Sequence, residues 1–270
     1  MQRQYLTGPS TPGLNVVSRP GAGPSLVLIH GFTDSWSSYE PVIANLPTSL
    51  PVVAYDLRGH GASARTPGAY TLREHLRDAA AVLDAAVVGP AVLCGHSLGG
   101  LIAACLAAEQ PERVAGLILE DAFFPGEAGH SEFVAWRERL TALAGQPREA
   151  WAQQVGQWPY GEGHTRQDYF GAEGVWRQVG HWMQLDLAHM DALIDRSLWG
   201  EPRPDAATTL AAIRCPTALI YQPEAREDAE RMAASLSEVS VTIAPVEDHR
   251  IHELAPAWFA RQVAAFLAAR

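Results

Sequence analysis

A serine set between glycines is the group in this chain best placed for covalent chemistry. Ala91-Val92-Leu93-Cys94-Gly95-His96-Ser97-Leu98-Gly99-Gly100-Leu101-Ile102 joins an apolar run to an alanine-rich helical pattern through Gly-x-Ser-x-Gly. A sharp strand-to-helix turn of this form is a nucleophile elbow, which holds a serine hydroxyl out above a sheet. Gly95 and Gly99 omit Cβ atoms where backbone must pass close to a strained turn. The helix behind Ser97 aims its free N–H groups and positive dipole end at the hydroxyl. The pentapeptide alone is weak evidence; its place between a strand and a helix carries more.

The elements needed to position such a serine are legible along the chain. Gln2 to Thr7 and Leu14 to Arg19 flank Gly8-Pro9-Ser10-Thr11-Pro12-Gly13 and read as a hairpin. Ser25 to His30, Pro51 to Tyr55 and Val114 to Glu120 are short continuous apolar runs, the pattern of strands buried on both faces. Helical patterns separate them, one around Ser38 to Leu46 and one opened by the capping box Thr71-Leu72-Arg73-Glu74 and running to Ala86. The elbow helix runs to Glu109. This alternation predicts a mostly parallel sheet wound with crossovers. It stops after Asp121 and resumes with strands at Thr217–Tyr221 and Val239–Ile243, a helix near Glu227 to Leu236 between them, and a closing amphipathic helix over Ala257 to Ala269.

The expected organisation is a core of residues 1–123 and 206–270, interrupted by a helical cap, or lid, over 124–205. Six of the eight tryptophans fall in the cap: Trp136, Trp151, Trp158, Trp176, Trp182 and Trp199. Any one of them serves to glue cap to core, yet together they suggest an apolar pocket for an aromatic or bulky molecule. Trp182, Met183, His181 and His189 are the stretch expected nearest its mouth.

With the elbow, His30-Gly31-Phe32, Asp56-x-Arg58-Gly59-His60-Gly61 and a late Asp248-His249-x-x-His252-Glu253 in this order, the chain resembles the α/β-hydrolase superfamily. The resemblance spans everything but the cap and implies an α/β-hydrolase fold with a central sheet flanked by helices. A serine hydroxyl needs a base in reach, and the resemblance assigns that role to His249, between the last strand and last helix. Asp248 departs from the glycine usual there. The resemblance puts the oxyanion-hole amides on Phe32 and Leu98. The acid that orients the imidazole is ambiguous. Asp121, after Leu119-Glu120, is favoured; Glu224 in Gln222-Pro223-Glu224-Ala225 is the alternative acid, with Glu120 and Asp248 behind. His252, His30, Asp56 and His60 read as structural, and His96 as packing at the elbow.

Composition narrows the partners. The 270 residues carry a net charge of −10, which argues against nucleic acid or an anionic membrane surface. No apolar run approaches a membrane span and no signal-peptide pattern opens the chain, so the cytoplasm is the expected location. Cys94, Cys105 and Cys215 are expected as buried free thiols. No Cys-x-x-Cys or His-Glu-x-x-His indicates a metal, and no lysine exists for a Walker loop, so neither metal nor cofactor is expected. Ser97 excludes the aspartate nucleophile used elsewhere in the fold. The resulting expectation is a cofactor-independent serine esterase or lactonase acting on an apolar small molecule through an acyl-enzyme. Cleavage of a β-diketone-type carbon–carbon bond, a thioester or an amide, and a receptor without turnover, are the alternatives.

Overall fold

Alternate residues of the central strands face opposite cores. In β5 (Ala91–His96), Ala91 and Leu93 join one hydrophobic cluster, Val92 and Cys94 another. In β3 (Leu26–Ile29), Val27 and Ile29 divide from Leu26 and Leu28 in the same way. This two-sided burial is why these strands read as unbroken apolar runs.

The computed structural model describes residues 1–8, 11–124, 131–200 and 203–269. Eight strands form one sheet in the order β1-β2-β4-β3-β5-β6-β7-β8. β1 (Gln2–Gly8) and β2 (Thr11–Arg19) make the antiparallel hairpin, with Pro9 and Ser10 of the expected turn outside the described residues. β2 pairs antiparallel with β4 (Val52–Tyr55); from β4 through β3, β5, β6 (Val114–Glu120), β7 (Thr217–Tyr221) and β8 (Val239–Ile243) all pairing is parallel. The protein therefore has the α/β-hydrolase fold, with a mostly parallel sheet.

Helices cover both faces. α1 (Glu40–Asn45) and α11 (Pro256–Ala268) pack on one side; α2 (Leu72–Ala86) and α3 (Leu98–Glu109) pack on the other. The expected helix around Ser38 to Leu46 is a 3-10 turn, Trp36–Tyr39, running into α1. Thr71 caps α2 through the anticipated box, its hydroxyl accepting from the Glu74 amide while its own amide donates to Glu74. α3 is apolar all round because it is buried all round. Each Leu or Ile enclosed there contributes roughly 1.5–3 kcal/mol relative to exposure. Cys94, Cys105 and Cys215 are all buried.

Between β6 and β7 lie α4 (Ser131–Leu143), α5 (Arg148–Gly156), α6 (Arg166–Trp182), α7 (Leu187–Ile194) and α8 (Ala206–Ala212). Residues 125–130 and 201–202 of this segment are outside the described residues. α4 to α7 share a core of their own that includes Leu140, Trp151, Val179, Trp182 and Met190. Polar contacts tie them down. The Asp186 amide donates to the Gly59 carbonyl at 2.7 Å, and the Tyr70 hydroxyl donates to Asp186 Oδ2 at 2.5 Å. α9 (Arg226–Ala233) and α10 (Ile251–Leu254) complete the chain. No described helix is long and apolar enough to cross a membrane.

Candidate active site

The carboxyl ends of β3, β5, β6 and β8 converge on one cavity of about 210 Å³. This is where ligands bind in open α/β sheets. Ser97 follows β5 directly, with φ 51° and ψ −116°. A non-glycine residue rarely adopts positive φ, and one that does so at a strand-to-helix turn stores strain at a reactive position. The surroundings enforce it. A Cβ on Gly99 would fall 2.1 Å from the Ile29 carbonyl oxygen, and one on Gly31 would fall 2.4 Å from His96 Nδ1. Only glycine allows the β3 turn, the elbow and α3 to close on each other.

His249 and Ser97 both line the cavity. His249 Nδ1–H donates to Asp121 Oδ2 at 2.6 Å, leaving Nε2 as the free ring nitrogen. Asp121 is buried, while about 44% of the His249 side chain is exposed. Two donors from the turn after β7 hold the carboxylate: the Gln222 amide reaches Oδ1 at 3.3 Å and Gln222 Nε2 reaches Oδ2 at 3.1 Å. Glu224 lies exposed in the 3-10 turn Pro223–Ala225. It is Asp121, and not Glu224, that stands against the imidazole. Gln222 was not anticipated; its one sequence signal is that it directly follows a buried strand in a turn lacking the usual glycine.

The other two acids hold the histidine loop. Glu120 Oε1 accepts from the His252 amide at 2.7 Å and from His252 Nδ1 at 2.8 Å, both groups fully buried. Asp248 Oδ1 accepts from the Arg250 amide at 2.7 Å, and its Oδ2 accepts from the Tyr160 hydroxyl. The departure from glycine at 248 thus has a purpose: its carboxylate ties the loop carrying His249 to the segment between α5 and α6.

His96 does more than pack. Its Nε2–H donates to the His249 carbonyl at 2.9 Å, and its Nδ1 lies 3.5 Å from Asp34 Oδ2. Burial opposes a charge here, but Glu120 and Asp34 outweigh it and raise the His96 pKa to about 9. Burial likewise opposes ionisation of Asp34, and its contacts with His181 and His96 prevail, holding it well below the usual carboxylate range. Asp34, His96 and His252 bring ligand-type atoms within 4.8 Å of one another. His96 and Asp34 form a buried ion pair beneath the loop while His252 is bonded to Glu120, so with a proton on His96 Nδ1 facing Asp34 no lone pair is left on His96 for a cation.

Phe32 and Leu98 line the same cavity. Leu98 opens α3, so its N–H is among those with no intrahelical acceptor. His30 and Asp56 brace turns. His30 Nε2 accepts from the Leu57 amide at 2.9 Å, and Asp56 accepts from Asn15 Nδ2, the Trp36 amide and the Ala62 amide. His60 Nε2 accepts from the Thr33 amide at 3.3 Å.

The apolar wall comes from Phe32, Phe123, Phe133, Trp136, Leu198 and Trp199. The stretch expected at the mouth is elsewhere. Trp182 is buried in the α4–α7 core and stacks on Trp158; His181 turns inward to Ser37 and Asp34; His189 stacks between Tyr70 and His75. Helical periodicity located the buried side of α6 but could not say which core that side enters. Tyr160, Arg166 and Arg250 also line the cavity and were not foreseen as cavity residues.

Comparison with known proteins agrees with this architecture. Residues 24–165 match the α/β-hydrolase fold family. A pimeloyl-[acyl-carrier protein] methyl ester esterase of Neisseria meningitidis is 32% identical, over 80% of this chain and 70% of its own. Lipase LipV of Mycobacterium tuberculosis is 42% identical over 37% of this chain and 38% of its own. The chain spans between 38% and 53% of the length of the first curated relatives it matches. A solved structure of a hydrolase from Pseudomonas aeruginosa PA01 superposes with a TM-score of 0.78 at 26% identity, covering 98% of both chains. The chain belongs to the α/β-hydrolase family.

Proposed function

We propose that this protein is a cofactor-independent serine hydrolase that cleaves a carboxylic ester or lactone of a small molecule through an acyl-enzyme. The observation that carries the reading is the hydrogen bond from His249 to buried Asp121, in a cavity that also presents Ser97 on a strained turn. In this reading His249 Nε2 takes the Ser97 proton as Oγ attacks the substrate carbonyl. The Phe32 and Leu98 amides receive the negative charge on the tetrahedral oxygen. His249 returns the proton to the leaving alkoxide, then activates water to release the acid. Asp121 keeps the imidazole in the required tautomer and stabilises its cation.

The resemblance to a methyl ester esterase supports an ester substrate, and the aromatic wall supports an apolar body next to the reacting carbonyl. Residues 124–205 act as the cap in this reading, supplying Phe133, Trp136, Tyr160, Arg166, Leu193, Leu198 and Trp199 to the cavity. A fluorophosphonate should label Ser97 stoichiometrically, and p-nitrophenyl esters should give a burst of one equivalent. Folded protein that resists labelling would remove the hydrolase reading and leave a receptor.

A further inference from the structure

The cavity has a charged end that ester cleavage does not require. Arg166 and Arg250 both line it, beside Tyr160. Their guanidinium carbons stand 4.8 Å and 5.8 Å from the Tyr160 ring centre. Arg250 has a counter-ion, its Nε lying 3.5 Å from Asp248 Oδ1. Arg166 has no carboxylate partner among the described residues. Its Nη1 donates to Gln178 Oε1 at 2.8 Å, and its guanidinium rests 5.0 Å from the Trp182 ring. Gln178 is itself buried, and its Nε2 has no acceptor.

Stability does not explain this arrangement. Arg166 is the first residue of α6, where a cation opposes the helix dipole. Burial and the neighbouring Arg250 lower its pKa to about 10, against the opposing pull of Tyr160 and Asp248. Nearby acids are already engaged, Asp248 by Arg250 and Tyr160, Asp34 by His96 and His181. A chain of net charge −10 has therefore placed, at one end of a cavity with an aromatic wall, a cation that no carboxylate contacts among the described residues. A planar guanidinium with free N–H groups matches a carboxylate.

We propose that Arg166, supported by Arg250, binds a carboxylate carried by the substrate, so that the preferred substrates are esters or lactones with a second, free carboxylate. This rests on the hydrolase reading for the reaction, but the anion site is testable without it. The carboxylate belongs to either the acyl or the alcohol portion, and two matched pairs separate these sources. Mono-p-nitrophenyl adipate is compared with p-nitrophenyl methyl adipate, and 4-acetoxybenzoate with methyl 4-acetoxybenzoate. A charge-assisted pair predicts a preference of about tenfold or more in kcat/KM for the anionic member of one pair, expressed mainly in KM. The ratio should shrink toward one in Arg166→Met, and Arg166→Lys should retain part of it.

For binding alone, monomethyl adipate and dimethyl adipate are titrated into Ser97→Ala, read by quenching of tryptophan fluorescence. Tighter binding of the monoanion, lost on adding Arg166→Met, supports the site even if no ester is cleaved. Ester cleavage with equal rates within both pairs would overturn the proposal, as would an anion preference that survives Arg166→Met.

Discussion

At Asp121 a single atom separates two outcomes. The backbone there has φ 42°, a conformation that asparagine tolerates as well as aspartate, so Asp121→Asn keeps the turn and changes only the charge and one donor. An amide can present N–H to His249 Nδ1 and so favour the wrong tautomer, with no charge to stabilise the imidazolium. Loss of roughly a thousandfold to ten-thousandfold in kcat is expected. Glu224→Gln, at an exposed position remote from the hydrogen bond, should leave kcat within about twofold. Steady-state rates on one p-nitrophenyl ester decide it, and the reverse ranking would return the acid role to Glu224. Gln222→Ala probes the next link outward. Removing one of the two donors to Asp121 leaves its bond to His249 in place but less fixed, so an intermediate loss of about tenfold is expected, with the Gln222→Glu variant worse because it sets a second carboxylate against Asp121.

At the scale of elements, α7 is held to the sheet domain through Asp186. That residue caps α7 by accepting from the Ala188 amide at 3.0 Å, and it also receives the Tyr70 hydroxyl. Asp186→Ala removes a cap and a docking contact together, so it should cost about 1–3 kcal/mol of stability. Asp168→Ala is the comparison, since Asp168 completes only the local capping box of α6. It should lose a similar cap contribution without loosening the α6–α7 region, and limited proteolysis between α6 and α7 should accelerate only in Asp186→Ala. These elements also mark how far the sequence can be read. Strands β3 to β7 were legible because two-sided burial leaves continuous apolar runs, edge strand β8 because its β-branched residues alternate with polar ones, and Thr71-x-x-Glu74 announced its helix. Ser97 and Asp121 drew notice because each directly follows such a run, and His249 because the family resemblance points to the loop between the last strand and the last helix. Gln222, Arg166 and the Asp248–Tyr160 contact were not, since each depends on which loop meets which across long sequence separations. The misplacement of Trp182 and His189 has the same origin: an amphipathic pattern gives a buried face without naming its partner.

Over the whole molecule, buried histidines set opposing limits on stability. His30 and His60 are pushed down by burial to about 4 and about 3, and burial lowers His75 and His189 as well. Depressed in the folded state, these groups contribute stability that is complete above about pH 6.5 and is lost as pH falls toward those values. His96 runs the other way. Its folded value of about 9 exceeds the unfolded one, so the Asp34 pair contributes fully below about pH 6.5 and is lost as pH rises toward 9. Each titrating group changes stability by about 1.4 kcal/mol per pH unit. Several histidines act on the acid side and one on the alkaline side, so the acid limb must be the steeper. His75 and His189 meet Nε2 to Nε2 at 3.2 Å with their rings stacked, near Arg58, His60 and the Tyr70–Asp186 pair, so protonating both places two cations in contact. Urea midpoints measured from pH 4 to 10 should peak near 6.5, fall sharply by pH 5, and decline gently toward 9. Replacing both rings by apolar ones in His75→Phe/His189→Phe removes two of these groups together with their mutual bond. The acid limb of that variant should be shallower. An unchanged limb would show that the contact between α2 and α7 is not where acid acts.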